Sequence, residues 1–152
     1  MYRKLRLVLL LLSAASLAGG AFAQDTGSAT QFSGTWNGYW NCPEGFIYLA
    51  EMRLGSAGDG SVEGQINWVL KKSPRAEEQS QIGLTGIEFV KGTYDPANRV
   101  LAVDGYNKTD PNNILGLDKY RLILAENGTV LGGITWNHGS WRGLIGLSRK
   151  EN

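Results

Sequence analysis

Apolar and polar residues alternate with a period of two along most of the chain after residue 32. The alternation is clearest over 46–54, 62–70, 119–124 and 141–148. Because successive side chains of a β-strand point to opposite faces, this period predicts half-buried strands. No segment shows the 3.6-residue period over the length of an ordinary helix. The chain is therefore predicted to be all-β.

The segments between these runs have turn chemistry. Asn127-Gly128 suits a hairpin that needs positive φ, and Asp95-Pro96 suits a type I turn. The longest break, 71–81, is charged and contains Pro74, with a short helical turn possible within 72–80. The resulting predicted strands are 34–42, 45–54, 62–70, 82–94, 99–107, 117–125, 129–136 and 141–149.

Strands of this number, joined by short turns, predict an eight-stranded antiparallel up-and-down barrel of the calycin-like type. Closure of the barrel removes the exposed sheet edges that an open sheet would leave. Several glycines fall inside the predicted strands, where glycine often marks a bulge or a barrel corner. A two-sheet β-sandwich is the alternative, since alternation alone does not separate the two folds.

Residues 1–23 have the pattern of a secretory signal peptide. Three basic residues precede the apolar run 7–12, and Ala21-Phe22-Ala23 supplies small residues at the cleavage site. The run is too short for a membrane-spanning helix, which needs about 20 apolar residues. We expect an exported bacterial protein, periplasmic or secreted, that begins near Gln24, with a flexible leader over 24–31 and one domain over 32–150.

Charge and cysteine content narrow the possible partners. The chain holds 15 basic and 14 acidic residues, and removal of the three basic residues of 1–23 leaves 12 against 14, a net charge of −2. This balance argues against nucleic-acid binding, and no membrane span is expected. Cys42 is the only cysteine. It is expected to be a buried thiol, with a Cys42-linked dimer as the alternative.

The order of short motifs resembles a group of small exported bacterial domains, largely uncharacterised. Their opening strand reads W-x-G-x-Y-x-C. Here Trp36, Gly38 and Cys42 match it, Trp40 stands at the Tyr position, and the middle motif G-x-Y-D matches 92–95. The resemblance implies a small β-barrel and assigns no reaction. A second Cys near the last strand is part of that pattern, and 139–143 contains none.

A looser resemblance is to the avidin and lipocalin barrels. Gly34-x-Trp36 on the first strand and Gly92-x-Tyr94-Asp95 at a hairpin are similar to theirs. The resemblance implies that Trp36 closes one end of a barrel. It does not extend to a biotin pocket, because the spacing of the Trp residues differs.

Aromatic residues are the main candidates for a binding site. Trp36 and Trp40 share one face of the first strand and Tyr39 lies on the other, so one face is expected in the core and the other partly in solvent. Trp68 and Trp141 are expected to pack inside the barrel. Tyr39, Trp136, Asn137 and His138 are the predicted ligand-binding residues, at an open barrel end and its loops.

Catalytic and metal chemistry have less support. His138 is the only histidine and lies at a hairpin tip, where a solvated turn residue is expected. One His and one Cys are too few for a zinc site, and no cofactor motif is present. A hydrolase would need two carboxylates across a cleft. Asp104 and Glu88 are the candidates, Asp104 because it alternates with Val100 and Ala102.

The sequence therefore predicts a non-enzymatic binding module for an unknown small molecule, sugar or protein. A protein-interaction or envelope-structural domain, held by its outer face or by Cys42, is the first alternative. A small hydrolase is the second.

Overall fold

The structure is a computed structural model that describes residues 31–137, 139 and 141–151. The predicted signal peptide at 1–23 lies outside the described residues, as do His138 and all of the predicted leader except Gln31. No helix in the described part of the chain is long and apolar enough to cross a membrane.

Eight β-strands make up nearly all of the described chain. They are β1 (Gly34–Asn41), β2 (Ile47–Gly58), β3 (Ser61–Lys72), β4 (Thr85–Asp95), β5 (Val100–Thr109), β6 (Asp118–Leu124), β7 (Val130–Asn137) and β8 (Arg142–Arg149). A 3₁₀ helix, Ala76–Gln81, lies in the β3–β4 connection. All eight predicted strands are present, with ends that differ by a few residues.

Every strand pairs antiparallel with its neighbours in sequence, and β1 pairs with β8 to close a barrel. The predicted up-and-down barrel is thus confirmed, and the sandwich alternative was wrong. The closing pair places Tyr39 opposite Gly146 and Trp40 opposite Ile145. This pair settles the choice of fold, because it leaves no free sheet edge.

The barrel interior holds the apolar residues of the period-two pattern. On β1, Trp36 is 0% exposed and Trp40 is 7% exposed, whereas Tyr39 on the outer face is 55% exposed. The same alternation buries Leu101 and Val103 on β5 and Tyr120 and Leu122 on β6. Burial of these side chains is the main source of stability in a fold of this kind.

One end of the barrel is closed by the segment that precedes β1. Phe32 is buried there, and Trp36 donates a 2.9 Å hydrogen bond from Nε1 to the carbonyl of Phe32. The guanidinium of Arg149 lies over the Trp36 ring, 4.2 Å from its centroid. Trp36 is therefore fully buried at this end, between the barrel core, Phe32 and Arg149.

The other end is open. Among the described residues, the connections 42–46, 73–84 and 110–117 lie at this end. Two of them, 73–84 and 110–117, are longer than any hairpin connection at the closed end. The end with long loops therefore contains the candidate site.

Candidate functional site

A cavity of about 310 Å³ occupies the open end of the barrel. Its walls include the parts of β1 to β4 and β6 that lie nearest the open end, together with the connections 73–84 and 110–117. Apolar core residues such as Ile66 and Leu122, both 0% exposed, fill the barrel below it. The cavity therefore lies between the packed core and the loop end of the barrel.

Aromatic rings form one wall. Trp40, Tyr48 and Trp68 come from three successive strands and meet edge to face, with centroid separations of 5.7 Å and 6.0 Å. The Trp40 indole donates to Thr135 Oγ1 at 2.6 Å, and the Tyr48 hydroxyl donates to the Ile114 carbonyl at 2.7 Å. The indole N–H of Trp40 and the hydroxyl of Tyr48 thus each have a hydrogen-bond partner, which holds these two rings in fixed orientations.

A buried carboxyl group, Glu88, adjoins this wall at Trp68. Its side chain points into the barrel from β4 and the residue is 2% exposed. Oε2 accepts hydrogen bonds from Trp68 Nε1 at 3.2 Å and from the Tyr120 hydroxyl, and Oε1 accepts from the Asp118 amide at 2.8 Å. The absence of a side chain at Gly105 provides the space, because a Cβ there would lie 1.9 Å from Oε1.

Burial dominates the ionisation of this group. Desolvation raises the pKa of Glu88 to about 7, even though its three hydrogen-bond donors favour the charged form. The same burial, together with the nearby Glu88 carboxyl, raises the pKa of Tyr120 well above its ordinary value. Glu88 is thus a carboxyl group that gains or loses a proton near neutral pH.

A second acid, Asp118, lines the same cavity. Desolvation raises its pKa to about 6. Within the described residues its carboxyl group has no hydrogen-bond donor and no Lys or Arg at ion-pair distance. Asp118 is the first residue of β6 and is paired with Asn137 of β7.

The mouth of the cavity carries a cation held between rings. Arg75 lies 5.2 Å from the Phe46 centroid and 5.4 Å from that of Trp141, and these two rings meet edge to face. Its guanidinium also donates to Glu78 Oε1 at 2.7 Å. Glu78 in turn accepts from Ser73 at 2.8 Å, a hydrogen bond within the β3–β4 connection.

The opposite rim is shaped by Asp110. Its carboxylate accepts from the amides of Ile114 at 3.0 Å and Leu115 at 2.8 Å, and Lys108 lies 3.2 Å away. These hydrogen bonds hold the pKa of Asp110 below its usual range, against the effect of its burial. The β5–β6 connection is therefore an ordered rim of the cavity.

The four predicted site residues are separated by the structure. Asn137 lines the cavity. Tyr39 and Trp136 lie on the outer face of the barrel, where Trp136 borders a shallow depression with Ile134 and Leu144. His138 lies outside the described residues. Participation of these residues in binding stays a prediction, and only Asn137 shares a cavity with the buried acids.

Asp104 was expected to point inward, and that prediction was wrong. Leu101 and Val103 take the inward positions of β5, so Asp104 faces outward, with its side chain 59% exposed and 3.6 Å from Lys119. Cys42 is 7% exposed and is a free thiol, as expected. Its burial, helped by a hydrogen bond with Glu44, raises the pKa of the thiol.

Sequence reasoning missed Tyr48, Tyr120 and Asp118 as residues of the site. A signal was present for Glu88, because it shares the period-two phase of Val90 and Tyr94, which are both buried. A charged residue in an inward phase indicates either a partner or a site. The same signal was present for Asp118, the first residue of β6, because it shares the period-two phase of the buried Tyr120 and Leu122.

The two acids of the cavity differ in their contacts. Glu88 and Asp118 share a cavity, as a hydrolase would require, but Glu88 already accepts three hydrogen bonds and holds Trp68, Tyr120 and the Asp118 amide in place. Among the residues described, no group of three potential metal ligands comes together. The site therefore offers shape, aromatic surface and acidic groups.

Comparison with known proteins confirms the fold. No family model matches the chain, and no curated protein matches it. Two similar solved structures are EF1p2_mFAP2b bound to DFHBI and a redesigned beta barrel, mFAP1, bound to DFHBI. The first has a TM-score of 0.58 at 14% identity and covers 81% of this chain and 97% of its own. The second has a TM-score of 0.55 at 11% identity and covers 81% and 98%.

Proposed function

We propose that this protein is an exported, non-enzymatic binding module that takes one small organic molecule into the cavity at the open barrel end. The observation that carries the proposal is the cavity itself. Its volume of about 310 Å³ falls at the lower end of the range for ligand pockets, roughly 300–1,000 Å³. Aromatic walls with a few fixed polar groups are typical of such pockets.

Two further observations support this proposal. The wall rings are fixed by hydrogen bonds at Trp40 and Tyr48, so a ligand would meet a preformed surface and little ordering entropy would be lost on binding. The two similar barrels are each described with DFHBI bound, so a barrel of this shape accommodates a small molecule in those proteins. Export rests on the secretory pattern of 1–23.

The test is native mass spectrometry on protein purified from its own exported fraction. We expect a chain that begins near Gln24 and carries a releasable extra mass. The variant Asn137→Trp, which fills the cavity from β7, should lose that mass. Ile134→Trp, on the outward face of the same strand, should retain it. Retention by Asn137→Trp would contradict the cavity as the site, and a full-length chain would contradict export.

The same experiment tests the predicted ligand-binding residues that lie on the outer face. Trp136→Ala leaves the cavity intact, so the proposal expects the extra mass to stay bound. Loss of binding in a folded Trp136→Ala protein would move the site to the outer depression.

A protein-interaction domain is a second candidate, favoured by an apolar strip on the outer face. Ile134 and Leu144 are paired across β7 and β8 and are 51% and 58% exposed; Ile123, on β6, is 58% exposed. Exposed apolar groups in this number often mark interfaces. Sedimentation analysis tests it: self-association abolished by Leu144→Lys would support this candidate, and a monomer at all concentrations would exclude self-association.

A further inference from the structure

The charges that line the cavity do not balance. Its charged residues are Glu78, Glu88, Asp118 and Arg75. Arg75 forms an ion pair with Glu78 at 2.7 Å, which leaves both Glu88 and Asp118 without a cation among the described residues. A site that holds two desolvated acids and no free cation favours a positively charged occupant.

The charge imbalance is most direct at the Asp118 side chain. The hydrogen bonds that satisfy Glu88 come from Trp68, Tyr120 and the Asp118 backbone, and none of them reaches the Asp118 side chain. The Asp118 carboxyl group therefore lines the cavity with its acceptor positions free of described donors. A partly buried acceptor of this kind gains a partner when a ligand donates to it.

The aromatic wall suits a cation independently of the acids. The faces of Trp and Tyr rings attract cations, and Trp40, Tyr48 and Trp68 present three rings in one wall. The molecule already uses this chemistry at the cavity mouth. There, the Arg75 guanidinium lies over Phe46 and Trp141 and is paired with Glu78.

We infer that the ligand of the cavity is an organic cation: an ammonium, amidinium or guanidinium group on a ring or short apolar body. The charged group would lie against Asp118 and Glu88, and the apolar body would lie against Trp40, Tyr48 and Trp68. This inference rests on the proposed function, since it names the class of molecule that the same cavity takes.

The test compares probes that differ in charge and little in shape. Benzamidine, benzamide and benzoate share one ring and carry a positive, a neutral and a negative group. Phenethylamine and 2-phenylethanol form a second pair with a longer body. Titration calorimetry at pH 8 with the full mature chain should give at least about tenfold tighter binding for each cation than for its neutral partner. Benzoate should bind more weakly than benzamide.

Variants then test which carboxyl group holds the cation. Asp118→Asn keeps the size of the side chain and the backbone amide that donates to Glu88. This variant should bind benzamidine at least about tenfold more weakly than the wild type does, and its affinity for benzamide should change by less than about twofold. Asp104→Asn is the matched control, because that carboxylate is on the outer face with Lys119. Circular dichroism and a urea titration establish that both variants are folded.

Each other outcome overturns a defined part of the inference. If benzamide or 2-phenylethanol binds as tightly as its cationic partner, the cation is rejected and the binding module stands. If benzamidine binds Asp118→Asn as tightly as the wild type, the role of Asp118 is rejected. If no probe of any charge binds the wild type, the inference and the cavity-binding function both fail.

Discussion

The backbone amide of Asp118 donates a 2.8 Å hydrogen bond to Oε1 of Glu88, so the two acids of the cavity are directly connected. Through the same carboxyl group, β6 is joined to β3 and β4, because Trp68 and Tyr120 donate to Oε2. Glu88 thus lies at the boundary between the apolar core and the cavity and orders both. The predictions below test this arrangement and the closure of the barrel.

Stability should decrease as the pH rises through the neutral range. The pKa of Glu88 is raised to about 7 from 4.5, and that of Asp118 to about 6 from 3.8, so the native state holds protons that the unfolded chain releases. The protonated acids favour folding below about pH 4, and this stability is lost as the pH approaches 7. We expect the free energy of unfolding to be lower at pH 8 than at pH 5 by a few kcal/mol.

Urea titrations at both pH values measure this difference. Asp118→Asn should reduce the pH dependence, since it removes one of the two groups, whereas Asp104→Asn should leave it intact. A stability that rises from pH 5 to pH 8 in the wild type would contradict the burial of these acids.

Tyr120→Phe should destabilise the protein by about 1–3 kcal/mol, because Glu88 loses a donor in a buried site. Tyr106→Phe is the control, since Tyr106 is 50% exposed on the outer face and its ring, which contacts Lys91, is retained. The midpoint of urea unfolding measures both. Equal midpoints for the two variants would show that the Tyr120 hydroxyl contributes nothing.

Arg149→Met should destabilise the closed end. The guanidinium donates to the carbonyls of Ser33 at 2.6 Å, Gly128 at 2.9 Å and Gln31, and it lies over the Trp36 ring. Loss of charge-assisted hydrogen bonds and of the cation–π contact should cost about 2 kcal/mol or more. Arg142→Met, at an exposed position on the same strand, should change the midpoint of urea unfolding little, and an equal loss there would reject the assignment.

Gly38→Ala should disrupt the seam that closes the barrel. A Cβ at Gly38 would lie 1.9 Å from the carbonyl oxygen of Gly146 on β8, so the strands must separate. We expect a loss of about 1–3 kcal/mol. Gly146→Ala meets nothing within 4 Å and should be neutral or slightly stabilising. Thermal unfolding of the pair measures the difference, and a neutral Gly38→Ala would contradict the β1–β8 pairing.

The affinity for benzamidine should fall when the pH is lowered from 8 to 5. With pKa values of about 6 for Asp118 and about 7 for Glu88, both acids become largely neutral over this interval and no longer attract a cation. Benzamide should show no such dependence. Calorimetry across the interval tests this, and a constant affinity for benzamidine would place its cation away from both acids.

The number and position of the strands were available from the sequence alone. Alternation reports which side chains face together, and it placed Trp36 and Trp40 on one face of β1 and Tyr39 on the other; the structure shows that the face with the two Trp residues is the buried one. Period two is a local property of an extended backbone, so it is visible without any knowledge of neighbouring strands. The assignment of Asp104 failed because the inward phase of β5 belongs to Leu101 and Val103.

Barrel closure and the cavity depended on the tertiary structure. Pairing of β1 with β8 joins residues more than 100 positions apart, such as Trp36 and Arg149, and no local pattern encodes that register. The site likewise combines Trp68, Glu88 and Tyr120 from β3, β4 and β6. The sequence by itself determined the strands and which side chains share a face, because alternation is local. Only the folded barrel decided which faces point inward and which of them enclose a cavity, because that depends on contacts between distant strands.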